Sequence, residues 1–272
     1  MKAFLITLIA CLVGAAPAWC HDFWVEPDAF VLDAPEPVIV SFLVGHGADR
    51  SAWPASQHRV VSFATISASG IEDQQAKLPL QAGGRDVEVQ IEQAGAHYLT
   101  LVGTNAYSDL PAERFQAYAT NEGIGPILSH RALAETEQLP GRELYSRRGK
   151  ALIQVGVVTD EMEAFVTRPL GMTLEIVPLR HPSRVVAGET LPVEVRFRGA
   201  RQAGVSLHLT DLGKRQSVGV VVTDEAGRAV IEHRAGAPML AHAVWGTPEK
   251  GLLQDADYLT VFSSLTFEFP AG

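Results

Sequence analysis

The sequence predicts a mainly β protein: two β-sandwich domains, the second immunoglobulin-like, with a helical insertion in the first. Three observations predict it. Apolar residues recur at every second position along most of the chain, as a strand with one buried face requires. A single stretch, 111–137, changes to helical spacing and is dominated by Ala, Glu, Leu, Arg and Gln. From 173 onward, short alternating segments follow one another at the regular spacing of an immunoglobulin-like sandwich. Hydrophobic residues make up 47% of the 272 residues and charged residues 19%, so core material is plentiful.

The first element is disposable. Residues 1–20 begin with Lys2, continue through an apolar run, and close with Ala18-Trp19-Cys20, which approximates a small-x-small cleavage site. They are expected to be a signal peptide. Cleavage there makes His21 the new first residue, at the head of His21-Asp-Phe-Trp-Val-Glu-Pro27. A histidine with a free α-amine can hold a metal ion through the amine and the imidazole together. The competing reading is an ordinary surface or core histidine.

The mature first domain is expected over 21–165. Val38, Val40, Phe42 and Val44 alternate as a half-buried strand, and His46 continues their face between Gly45 and Gly47. His46 is thus either a turn histidine or a side chain delivered to a site at the end of the sheet. Further strands are predicted at 58–68, 85–93 and 96–103. His97 shares a face with Leu99 and Leu101 and reads as a hydrogen-bonded core residue; His58 reads as exposed. In the insertion, Pro111 suits a first helical turn. Phe115 and Tyr118 lie three apart, and a second helix after Gly125-Pro126 groups Ile127, His130, Arg131 and Ala134. The stretch 140–150 carries four basic side chains and reads as a solvated face, or as a hold on the insertion or an anion through Arg147, Arg148 or Lys150. A strand at 151–158 follows.

Residues 160–170, where Asp160-Glu-Met-Glu163 gives way to Arg168-Pro-Leu-Gly171, mark the expected boundary. The second domain is expected over 170–272, with strands at 173–178, 191–198, 203–210, 217–223, 228–233, 238–245 and 259–269. Asp224-Glu-Ala-Gly227 is a hairpin turn. Leu240, His242 and Val244 share one face, so His242 is either a buried hydrogen-bonded residue or a ligand. His208 alternates with Ser206 and Thr210 on a polar face expected to be exposed. His181 and His233 fall near strand ends.

Charge and motif content narrow the function. The formal charge is −9, and loss of the leader with its single Lys2 makes it −10, which argues against nucleic acid and anionic membrane surfaces as partners. Cys11 and Cys20 both lie in the leader, so the mature protein has no disulfide, thiolate nucleophile or thiolate ligand. After the leader, no apolar run reaches the roughly 18 residues of a membrane span. No nucleophile elbow, phosphate-binding glycine loop, dinucleotide fingerprint or His-Glu-x-x-His helix is present.

Four segments together carry a family resemblance: His21-Asp-Phe-Trp-Val-Glu-Pro27; Leu144-Tyr-Ser-Arg-Arg-Gly-Lys-Ala-Leu-Ile-Gln-Val-Gly156; Pro169-Leu-Gly-Met-Thr-Leu-Glu-Ile-Val-Pro178 with Gly188; and His242 before Ser264-Leu-Thr-Phe-Glu-Phe269. In that order the chain resembles the bacterial uncharacterised-domain family related to the exported NikM-like component of nickel and cobalt uptake transporters. The resemblance implies an extracytoplasmic, periplasmic protein that handles a transition metal beside a transporter or outer-membrane receptor. It points to His21 and His242 as ligands, with His46 as a further candidate. The chain departs from an integral transporter subunit in having no C-terminal membrane anchor.

Three functions compete on this reading. The first is a periplasmic binding protein for a divalent transition metal; imidazole and amine ligands suit nickel, cobalt, copper or zinc. The second is a copper redox enzyme with an N-terminal histidine chelate, distinguished by turnover with copper and a reductant. The third is a β-sandwich interaction module with structural histidines, distinguished by a mature protein that binds none of these metals.

Overall fold

A computed structural model describes residues 22–46, 49–84, 86–252 and 255–271, so the leader and His21 lie outside the described residues. The chain is mainly β with three short α-helices among the described residues. A ten-stranded sheet forms the middle layer. Its main strands run in the spatial order Gln216–Val222, Ser206–Asp211, Pro238–Pro248, Tyr258–Glu268, Gly141–Val155, Gly95–Gly103, Val60–Ser67 and Gly70–Asp73. Tyr258–Glu268 pairs in parallel with Gly141–Val155, from Glu143 opposite Tyr258 to Ala151 opposite Thr266. The sheet therefore runs across the 165–170 stretch, and the two halves share one hydrogen-bond ladder.

The two-residue period decides what lies on each face. Along Gly95–Gly103, Ala96 and Tyr98 enter one core with Leu174, Leu191 and Val193, whereas Leu99 and Leu101 enter another with Phe23, Val25, Val40 and Phe42. Two four-stranded sheets thus cover opposite faces of the large one. The first contains Leu174–Pro178, Thr190–Phe197 and Arg228–Glu232; the second contains Asp22–Pro27, Pro37–His46, Asp49–Ala52 and Val87–Gln90. The Asp22–Pro27 strand is held in place by Thr266 Oγ1, which donates to the Val25 carbonyl at 2.7 Å. Arg50 Nη1 and Trp24 Nε1 both donate to the Glu26 carboxylate, each at 2.7 Å.

The insertion forms α1 (Ala112–Asn121) and α2 (Gly125–Leu133). Phe115, Tyr118, Ala119, Ile124 and Ile127 pack on Val244, Tyr258 and Phe262, on the same side of the large sheet as the Asp22–Pro27 strand. The Phe115 ring lies directly over Gly141, where an added Cβ would run into it. Gly141→Ala should therefore destabilise the protein by about 1–3 kcal/mol, the usual cost of overpacking a filled core. Urea midpoints would show it, and an unchanged midpoint would mean that Phe115 moves aside freely.

Two elements depart from the sequence expectation. The strand predicted at 151–158 begins ten residues earlier and covers Gly141–Val155. Its basic side chains have specific partners: Arg142 pairs with Asp257, Arg148 donates to the Gly103 carbonyl, and Lys150 is buried against Glu175. The acidic run at the expected boundary is a helix, α3 (Asp160–Val166), whose N-cap Thr159 accepts from the Met162 backbone N–H.

Candidate functional site

The site forms where the terminal strand, the large sheet and the helical insertion meet. Asp22 opens its strand opposite Gly45, so His46 comes next on the paired strand. The pairing of Pro37–His46 with Asp49–Ala52 needs glycine at 45, because a Cβ there would collide with the Asp49 carbonyl. His242 rises from the middle of Pro238–Pro248, with Leu240 and Val244 on its face as the alternation predicts. Its cross-strand neighbours are Ser264 and His208.

These elements bring two of the predicted residues to one carboxylate. His242 Nδ1 lies 3.1 Å from Asp22 Oδ1, and His46 Nδ1 lies 3.5 Å from the same oxygen. Asp22 is the residue immediately after the expected new N-terminus. His21, the third predicted residue, lies outside the described residues.

The electrostatics follow from burial. Desolvation of the fully enclosed His242 imidazole lowers its pKa to about 4, against the pull of Asp22, so it is neutral at pH 7. Contact with Asp22 raises the pKa of His46. Burial pushes the Asp22 carboxyl upward, but His242 and His46 outweigh it and its pKa is lowered. His242 is thus uncharged at neutral pH, whereas contact with Asp22 favours the charged form of His46. The arrangement is a neutral imidazole and a titratable one on either side of a carboxylate.

Those groups suit a transition metal. His242 Nε2 is buried and makes no hydrogen bond, while Nδ1 faces Asp22 Oδ1 at 3.1 Å. A buried polar atom without a partner is costly unless something else satisfies it, and a neutral imidazole is the ligand form of histidine. Among the described residues, no three His, Cys, Asp or Glu side chains already form an ion-holding group. The fold supplies ligand pairs next to the segment that would carry the amine.

Sequence reasoning missed three neighbours. Asp22 was passed over as part of the leader-proximal motif. His208, expected on an exposed polar face, is half-buried opposite His242, with ring centroids 6.2 Å apart. Its Nε2 lies 3.5 Å from Oε2 of Glu122, which follows α1. Burial and the nearby Asp22 charge raise the Glu122 pKa to about 8. The signal that could have found His208 is its position in the strand that pairs with the His242 strand; nothing local marks Glu122.

The remaining histidines lie elsewhere. His97 is buried, with Nε2 2.9 Å from the Gln93 carbonyl. His130 is exposed beside the Tyr258 hydroxyl, and His58 is exposed. His181 is buried beside Ser183, whose backbone N–H donates to its Nδ1.

The family profile described as "Domain of unknown function (DUF4198)" matches residues 18–247. No curated protein matches the chain. Among solved structures, the Clostridium thermocellum CbhA fibronectin(III)-like modules align at 10% identity over 91% of this chain and 94% of that one. The TM-score of 0.20 is too low to indicate a shared topology.

Proposed function

This chain belongs to the DUF4198 family, and we propose that it is an exported periplasmic protein that binds a divalent transition metal. In this reading it serves nickel or cobalt uptake, or that of a similar divalent metal, in the manner of a NikM-like component. The observation that carries the proposal is the convergence of His46 and His242 on Asp22, one residue after the expected mature terminus. His21 would contribute its amine and imidazole, and His242 and His46 would complete the site. In this reading a transporter or outer-membrane receptor is its partner; no helix among the described residues is long and apolar enough to cross a membrane.

The test is titration of correctly processed protein with nickel, cobalt, copper and zinc by calorimetry, beside a variant carrying one extra residue ahead of His21. Structural zinc sites with four ligands bind with about 10–16 kcal/mol, so one ligand is worth roughly 3 kcal/mol, or about a hundredfold in affinity. The extended protein should lose about that much, and His242→Ala likewise. Binding should weaken as pH falls and should release protons, because amine and imidazole must both be deprotonated. Equal affinity for the native and extended termini would remove the amine from the site.

A further inference from the structure

We propose that Glu122, from the helical insertion, and His208, beside His242, are further ligands for the same metal, so that occupancy ties the insertion to the sheet. The inference rests on the metal-binding reading above. It starts from two buried atoms, His208 Nε2 and Glu122 Oε2, neither of which has a hydrogen-bond partner among the described residues. They lie 3.5 Å apart. That is longer than the roughly 2.7–3.2 Å of a nitrogen–oxygen hydrogen bond. Two ligands each about 2.1 Å from one cation are separated by about 3.0 Å at a right angle and 3.4 Å at the tetrahedral angle. The pair is thus spaced like two neighbours in one coordination sphere.

The surroundings point the same way. His208 and His242 face each other across adjacent antiparallel strands, and Nε2 of the fully buried His242 has no hydrogen bond. Asp22 and Glu122 bring two mostly enclosed carboxyl groups to the cluster, whose ionised forms a bound cation would compensate. The sequence places Glu122 there deliberately: Gly123 takes a φ of 67°, and a Cβ at that position would strike Ser206 Oγ on the strand that carries His208. The turn between α1 and α2 is therefore seated on that strand, with Glu122 aimed inward. Bound metal would hold this turn through Glu122.

The test uses processed full-length protein titrated with nickel, cobalt, copper or zinc alone, and compares wild type, Glu122→Gln, His208→Gln and His242→Ala. Glu122→Gln keeps shape while removing the charge, and Glu122→Asp, which withdraws the carboxylate by one methylene, serves as the second variant. Each of the four should bind at least about tenfold more weakly than wild type. Metal should also slow amide hydrogen exchange over 120–128 in the wild type, and that slowing should vanish in Glu122→Gln. Wild-type affinity and undiminished protection in the Glu122 and His208 variants, with binding lost in His242→Ala, would overturn this inference and leave the metal site standing. Absence of binding by wild type to all four metals would overturn the metal-binding reading, and this inference with it.

Discussion

Glu175→Ala should cost on the order of 3–5 kcal/mol, a large share of the roughly 5–15 kcal/mol that holds a typical domain folded. Glu175 and Lys150 are each only 1% exposed, and Nζ lies 2.8 Å from Oε1. Removing either partner leaves an uncompensated charge in the core. The two are not equivalent. Glu175 also accepts from the backbone N–H groups of Leu170, Gly171 and Met172, so its loss orphans three donors that follow α3. Leu170 and Met172 are only half-buried and Gly171 is exposed, so water takes over part of this bonding and the three donors add less than the about 1–3 kcal/mol each of fully buried groups. Lys150 makes one hydrogen bond and sits 4.8 Å from the centre of the Tyr98 ring, and burial lowers its pKa. Lys150→Met, which fills the same space, should therefore cost less than Glu175→Ala. Urea unfolding of both variants decides it, and the reverse order would show that the backbone amides of Leu170, Gly171 and Met172 do not depend on the carboxylate.

In metal-free protein the stability that His181 and His242 contribute should be lost between pH 6.5 and pH 4. Burial lowers the His181 pKa to about 4, and that of His242 also to about 4. Both have an unfolded value near 6.5, so across that window the unfolded chain binds protons that the folded one refuses. Their contribution is therefore complete above pH 6.5 and falls as pH drops toward the folded values, whereas the buried Glu122 and Glu143 carboxyls, raised to about 8 and about 7, work against it over the overlapping range. A difference of about 2.5 pKa units corresponds to roughly 3 kcal/mol per histidine. His46 works in the opposite sense. Asp22 raises its pKa, so its contribution is present at low pH and fades as pH rises through its folded value. His181→Gln keeps an acceptor for the Ser183 N–H and has no proton to take up, so it should flatten the loss by about half. An unchanged acid limb in that variant would assign the effect to other groups.

The candidate site was only half legible in the chain. His242 could be placed on the same face as Leu240 and Val244 because a strand repeats every two residues, and His46 could be placed at a strand end because glycines flank it. His208 was misjudged for a related reason. Its alternation with Ser206 and Thr210 correctly describes one side of a strand, but that side is covered by the turn between α1 and α2, which strand periodicity cannot anticipate. Thr210 is buried there too, at 6% exposure. The basic stretch at 140–150 misled in the same way: charge usually marks a solvated face, yet Lys150 is enclosed because Glu175 comes from a strand 25 residues away.

What the sequence by itself determined is the local grammar: strands where apolar residues alternate, helices at 111–137 where the spacing lengthens, and a mainly β chain as the result. Those properties depend on neighbours a few residues apart, and backbone geometry enforces them. Only the tertiary structure decided that Tyr258–Glu268 pairs in parallel with Gly141–Val155, placing both halves on one sheet. From that pairing follow the burial of Lys150, the contact of His242 with Asp22 across 220 residues of chain, and the arrival of Glu122 beside His208. Contacts of this kind are chosen by which faces remain to be covered once the sheets form, and that choice is made by packing among distant segments.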